Sequence, residues 1–196
     1  YVRALEQLVS EASGARFALR PDGLAREIVG VDAALCAEAS TRRGQVQERV
    51  AELVGPAAER IVVSTFHSAC ARFLRREAPK LGYTSSFVIY DSDDQQRLVR
   101  DILRELQIDH KRFPPKAFLS RIDQAKNRML EPEDVAAGLL GDPGAMAMRV
   151  DEVYARYQRA LVAANAFDFN DLVGRMVQLL EQDTEVRERY RDRFRY

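Results

Sequence analysis

The sequence predicts a mainly α fold carrying a small α/β piece, on two observations. Between Ser92 and Leu179 apolar residues return every three or four positions, punctuated by helix-start and turn signals. Only residues 60 to 64 read as a clear strand, where Ile61-Val62-Val63 runs into the hydroxyl-rich Ser64-Thr65-Phe66-His67-Ser68.

The elements follow in order. Ala4, Leu5, Leu8 and Val9 have the spacing of a short amphipathic helix, and Arg20-Pro21-Asp22-Gly23 is a turn signal. Leu24, Ile28, Val31, Leu35 and Cys36 then recur at helical spacing. After the strand at 60 to 64 comes a basic amphipathic run, Ala71-Arg72-Phe73-Leu74-Arg75-Arg76. Strand, polar loop and helix in that order suggest a buried parallel strand, and loops at the carboxyl ends of such strands hold ligands in open α/β sheets. Phe87-Val88-Ile89 is a candidate second strand. Ser92 and Gln95 have capping-box spacing, ahead of an apolar face of Leu98, Ile102 and Leu106. Pro114-Pro115 suits the first turn of a helix carrying Phe118, Leu119, Ile122 and Ala125. Glu131-Pro132-Glu133-Asp134 starts a shorter helix through Val135 and Leu139, and Gly141-Asp142-Pro143-Gly144 is the clearest loop. Val150, Tyr154, Tyr157, Leu161 and Ala164 mark a long helix, and Asp168 is placed to cap another carrying Leu172, Met176 and Leu179.

A chain of 196 residues suggests one domain or two small ones. It is 46% apolar, enough to bury a core, and 31% charged. Its 30 basic and 30 acidic side chains cancel, so no global field draws it to nucleic acid and any such affinity must be local. Arg outnumbers Lys by 26 to 4. Cys36 and Cys70 lack metal spacing and fit a reduced cytosolic state. No apolar run nears the roughly 20 residues of a membrane span, and the start has no signal-peptide pattern. The expectation is a cytoplasmic protein with no membrane partner, no internal repeat and no low-complexity tract.

Thr65, His67 and Ser68 can donate to nucleic-acid phosphates, which positions a backbone without reading sequence. Thr65 and Ser68 suit capping of the following helix as well. Arg72, Arg75, Arg76 and Lys80 lie near one helix face, either a DNA contact or a solvated face whose stems cover apolar neighbours. Lys111, Arg112, Lys116, Arg121, Lys126 and Arg128 form the most basic region, partly offset by Asp109 and Asp123; phosphate contact and ordinary surface charge both fit. Asp151-Glu152 follows no apolar strand and reads as helix charge, not a magnesium-binding pair. Asp168 and Asp171, three apart at a helix start, read as cap and dipole charges. His110 is isolated, and neither His has a partner at nucleophile or metal spacing. No catalytic residue and no metal ligand are assigned.

Thr65-Phe66-His67-Ser68, Ala125-Lys126-Asn127 and Asn165-Ala166-Phe167-Asp168-Phe169-Asn170-Asp171-Leu172 stand in an order and spacing that resemble the UvrD/PcrA/Rep family of superfamily 1 DNA helicases. Gly44 to Gly55 resembles the end of the family's first DNA-contact helix. Leu81-Gly82-Tyr83, Phe87-Val88-Ile89-Tyr90-Asp91 and Asp94-Gln95 resemble the approach to its helical insertion. Tyr154-Ala155-Arg156-Tyr157-Gln158 resembles the return to the motor domain, and Arg193-Phe194-Arg195-Tyr196 the lead-in to the Walker B strand. The resemblance covers residues 44 to 196 and leaves 1 to 43 unmatched, with Ala39-Ser40-Thr41-Arg42-Arg43 where the family reads like TNKAA.

The resemblance implies a helical insertion domain at 71–166. It also implies an incomplete RecA-like α/β remnant of a P-loop NTPase at 44–70 and 167–196. It implies part of an ATP-dependent 3′ to 5′ DNA helicase that contributes single-stranded DNA contacts. The DNA-binding residues would be Thr65, Phe66, His67, Ser68, Arg72, Lys126 and Asn127, and Asp168, Phe169 and Asp171 would belong to a motor-domain motif. ATP and Mg²⁺ are the family's cofactors, yet none of the ten glycines is followed by Lys, so no GxxxxGK(S/T) phosphate loop exists here. The acidic Walker B strand would begin only past Tyr196. The isolated chain is expected to be inactive, to hold no cofactor, and to bind single-stranded DNA weakly without the remaining helicase domains. The alternative is a noncatalytic helical module that binds DNA or a protein partner.

Overall fold

A computed structural model describes residues 64–144 and 148–193, together with Glu48, Glu52, Gly55 and Pro56. The expectations for residues 1–43, for most of 44–55, for Ile61-Val62-Val63 and for Phe194-Arg195-Tyr196 lie outside the described residues. The described residues fall into two compact units, divided between Ala69 and Cys70.

The described residues are mainly helical. Helix α1 (Phe66–Glu77) leads into a 3-10 turn (Ala78–Leu81) and strand β1 (Val88–Ile89). Helices α2 (Ser92–Glu105), α3 (Pro115–Asn127), α4 (Pro132–Ala136) and α5 (Val150–Ala163) follow. Strand β2 (Ala166–Phe167) precedes α6 (Phe169–Gln182) and α7 (Thr184–Arg193).

The two short strands pair in parallel, Val88 opposite Ala166 and Ile89 opposite Phe167. The expected strand at Phe87-Val88-Ile89 is therefore present at its last two residues, whereas β2 is too short for any period to announce it. Asn165 sets this pairing. It sits at φ 48°, a left-handed conformation that Asn tolerates better than most residues. Its Oδ1 accepts the Thr84 N–H at 2.8 Å, its Nδ2 donates to Thr84 Oγ1 at 2.6 Å, and its carbonyl accepts the Val88 N–H at 3.0 Å.

Successive strand residues face opposite sides, so Ala166 and Phe167 enter different apolar clusters. The first is built by Val99, Ile102 and Leu103 of α2, Phe118 and Ile122 of α3, and Val153, Tyr157 and Leu161 of α5. The second gathers Leu74, Tyr83, Phe87, Leu172, Met176, Val177 and Val186 around Phe167, whose ring centroid lies 4.0 Å from that of Tyr83 and 4.7 Å from that of Phe87. Burying each such side chain stabilises the fold by roughly 1.5–3 kcal/mol.

Three boundaries differ from expectation. The cap of α2 is Asp91, not Ser92: its carboxylate accepts the N–H groups of Asp93 and Asp94 at 2.8 and 2.9 Å, and Asp94 reaches back to the Asp91 N–H. Asp is at least as good a cap as Ser, and the same spacing fits one residue earlier. Helix α4 stops at Ala136, because Gly138 turns to φ 82° and the Leu139 N–H folds back onto the Asp134 carbonyl; Leu139 is left exposed. Pro143 and Gly144 already begin a helical turn, capped by Asp142, so the loop is Gly141-Asp142.

Helix α7 was not anticipated. Val186 and Tyr190 give it a narrow buried stripe, and buried Glu77 accepts Arg189 Nη1 at 2.9 Å and the Tyr190 hydroxyl at 3.3 Å.

Candidate nucleic-acid interface

In the unit that ends at Ala69, Thr65 caps α1. Its Oγ1 accepts the Ser68 N–H at 3.2 Å and donates to Ser68 Oγ at 2.9 Å. Thr65 and Ser68 are exposed, while Phe66 and His67 are half-buried. Burial lowers the His67 pKa, so at pH 7 the imidazole is neutral with one N–H to give. No acidic residue lies in the first turn of α1, and its positive end is uncompensated from within the helix. Thr65, Phe66, His67 and Ser68 thus share one helix start, with capping already in use.

The unit that begins at Cys70 splits the expected basic face. Arg72 and Arg76 are exposed. Arg75 instead binds the fold: Nη1 donates to the carbonyls of Ser85 and Phe87 at 2.9 and 3.1 Å, with the guanidinium 4.4 Å from the Phe87 ring centre. Lys80 pairs with Asp183 at 2.6 Å. Cys70 is buried, and burial pushes its thiol up to about 12, which leaves it unreactive.

The two residues of the Lys126-Asn127 pair part company. Asn127 is exposed and lines an open groove of about 670 Å³ with Ser92, Gln96, Lys116, Ser120 and Arg128. Lys126, expected on the surface as a phosphate contact, is 3% exposed. Its Nζ lies 2.6 Å from Asp168 Oδ2 and 2.9 Å from Asp171 Oδ1. That expectation needs correcting: an ammonium neutralised by two carboxylates inside the protein is not presented to solvent.

Helix α5 completes the cluster. The Tyr157 hydroxyl donates to Asp168 Oδ2 at 3.0 Å, and Gln158 Nε2 donates to both Asp171 oxygens at 3.2 and 3.0 Å. The Lys126 ammonium lies 5.1 Å from the Tyr157 ring centre, within cation–π range. Asp168 also caps α6, accepting the Asp171 N–H at 2.8 Å, as its position in the sequence suggested. Arg175, one turn on from Asp171, lies 3.8 Å from it and 3.2 Å from Glu131. Lys126 and Arg175 balance Asp168 and Asp171.

Burial pushes the Asp171 carboxyl upward against the attraction of Lys126. Burial likewise raises the Tyr157 hydroxyl, reinforced by the Asp168 charge, and keeps it a hydrogen-bond donor. Asp123, half-buried at the groove, is pushed up to about 6, first by burial and then by Asp168; it accepts Asn170 Nδ2 at 2.8 Å. Phe169 is 42% exposed and stands outside the cluster its neighbours form. Arg175 stands at i,i+4 from Asp171, a spacing that signals its pairing, whereas Gln158 lies in a motif block but its hold on Asp171 is not local in sequence.

The profile of the UvrD/REP helicase N-terminal domain matches residues 40–196. The chain belongs to the UvrD/REP helicase family. The ATP-dependent DNA helicase UvrD1 of Mycobacterium tuberculosis (strain ATCC 25618 / H37Rv) is 43% identical over 153 residues, 78% of this chain and 20% of that protein. The ATP-dependent DNA helicase PcrA of Bacillus subtilis (strain 168) is 38% identical over 155 residues, and UvrD1 of Mycobacterium leprae (strain TN) is 41% identical over 154, with the same coverage. The chain spans about a fifth of the length of these UvrD/REP relatives.

A phosphate loop that would hold ATP with Mg²⁺ is not present in this sequence. No Gly-Lys pair supplies a phosphate-loop lysine. Among the described residues no group of three His, Cys, Asp or Glu side chains could hold a metal, and the Lys126 ammonium lies 2.6 Å from Asp168 and 2.9 Å from Asp171. Nor is any helix among them long and apolar enough to cross a membrane.

Proposed function

We propose that this chain is the part of an ATP-dependent DNA helicase that carries a helical insertion on a fragment of a RecA-like motor domain. It contributes weak, sequence-independent contacts to single-stranded DNA, in the cytoplasm and without a membrane. In the whole enzyme the strand would move 3′ to 5′ as ATP is turned over by segments outside these 196 residues. The observation that carries this reading is the family match over residues 40–196, with Thr65-Phe66-His67-Ser68 at the uncompensated start of α1. Thr65, Phe66, His67, Ser68, Arg72 and Asn127 are the proposed contacts. Asp168, Phe169 and Asp171 form a motor-domain motif whose role here is to build the α6 start.

With no net charge, affinity rests on local patches, so the dissociation constant should be roughly 10⁻⁴ to 10⁻⁶ M at physiological salt. Fluorescence anisotropy with a labelled single-stranded oligonucleotide checks this. Affinity should fall steeply with salt, Arg72→Gln should lower the salt slope by about one, and His67→Ala should weaken binding at an unchanged slope. The same preparation should release no phosphate from ATP with Mg²⁺ and DNA. Absence of binding at low salt would sink the reading in favour of a noncatalytic module for a protein partner.

A further inference from the structure

Lys126 and Asn127 are consecutive on α3, about 100° apart around the helix, and meet different surroundings. Asn127 looks into the open groove, while Lys126 is buried between the two carboxylates at the start of α6. Moving its ammonium out to a phosphate would strand Asp168 and Asp171 inside the fold, with Arg175 3.8 Å from Asp171 as the remaining cation. Breaking a buried pair from one side is strongly destabilising.

We infer that Lys126 is a positioning residue, a buried strut that seats α3 on α6 and so orients the outward face bearing Asn127, and that it touches no phosphate. The Asn127 part rests on the DNA-binding reading above; the strut does not. Tyr157 and Gln158 hold the carboxylates from α5, so three helices meet at one ammonium. Asn170 adds a second tie from α6 to α3 through Asp123.

The chain has only four lysines, which allows a direct test on the unaltered protein. Amine acetylation read by mass spectrometry should modify the exposed Lys111 and Lys116 and spare Lys126, with or without single-stranded DNA. Lys126 labelled as fast as Lys116 would overturn the strut. Lys126→Met should lower the urea midpoint, and Lys126→Met with Asp168→Asn should recover part of it, because Asp171 and Arg175 then balance. A double variant no more stable than Lys126→Met would also overturn it.

Binding separates positioning from contact. Measured well below its unfolding transition, Lys126→Met should weaken single-stranded DNA binding by roughly threefold to tenfold at an unchanged salt slope. Arg72→Gln, at a proposed contact, should lower the slope by about one. A slope lowered by Lys126→Met would mean a direct phosphate contact, and an unchanged affinity would mean a strut without a positioning role. If the unaltered chain binds no DNA, the functional proposal fails while labelling and stability still judge the strut.

Discussion

Replacing Asp123 with Asn should make the protein more stable at neutral pH, although it deletes a charge that accepts a hydrogen bond. The carboxyl is pushed up to about 6, chiefly by burial and then by Asp168, against about 3.9 in an unfolded chain. Below the unfolded value the group is protonated in both states and costs nothing. Between the two values the folded chain holds the extra proton, so this group lowers stability as pH rises, until the full penalty is present above pH 6. Two pKa units correspond to roughly 3 kcal/mol, and screening at a half-buried groove site reduces that to about 1–1.5 kcal/mol. Asn keeps an oxygen for the Asn170 Nδ2 now 2.8 Å away, and its new N–H groups face a groove open to water.

Urea unfolding at pH 7.5 and at pH 4 measures both ends. The variant should lead by about 1–1.5 kcal/mol at pH 7.5, a Tm gain of roughly 2–6 °C, and the lead should shrink toward zero at pH 4. Asp168 and Lys126 behind the group, and Lys116 and Arg128 along the groove, are present in both proteins and cancel in the difference. A variant less stable at pH 7.5, or a lead that does not change with pH, would refute the assignment of a raised Asp123.

Three further substitutions probe the small sheet. Phe167→Ala removes the ring that Tyr83 and Phe87 pack against and should cost about 3–5 kcal/mol by chemical denaturation, with a loss under 1.5 kcal/mol refuting its central place. Asn165→Gly keeps the left-handed turn but loses both Thr84 hydrogen bonds, about 1–3 kcal/mol, and Asn165→Ala should lose a further 1–2 kcal/mol to backbone strain; equal losses in the two variants would mean that the conformation at φ 48° carries no cost.

Local rules were legible wherever one segment decides its own structure. The faces of Phe118, Leu119, Ile122 and Ala125, and of Leu172, Met176 and Leu179, are buried as their spacing required. The Pro114-Pro115 start and the Asp168 cap stand where expected. Three element boundaries slipped by one or a few residues on local competition between caps and turns, and the larger misses were decided at a distance. Strand β2 exists because Asn165 reaches Thr84 across 81 positions of sequence. Helix α7 has only Val186 and Tyr190 to mark it, and its hold on Glu77 spans more than a hundred residues. Lys126 defeated the reading most fully. A lysine in a basic stretch is nearly always solvated, and only the fold brings Asp168 and Asp171 to it.

The distribution of charge explains why so arginine-rich a chain should hold DNA only weakly. Its helices neutralise themselves locally: Asp101 with Arg104 at 2.9 Å, Glu185 with Arg189 at 2.8 Å, Glu188 with Arg191 at 3.3 Å, and Glu152 with both Arg149 and Arg156. Exposed pairs of this kind add little stability, about 0.3–0.5 kcal/mol each, but they cancel the field that would otherwise reach phosphate. Arg75 and Lys80 are further withdrawn into carbonyl and carboxylate contacts, and Lys126 into the core. Binding that rests on a handful of local contacts makes each contact a measurable fraction of the total salt slope. For that reason a single-residue change at Arg72 should be visible in the slope, where in a strongly basic protein it would be lost among many.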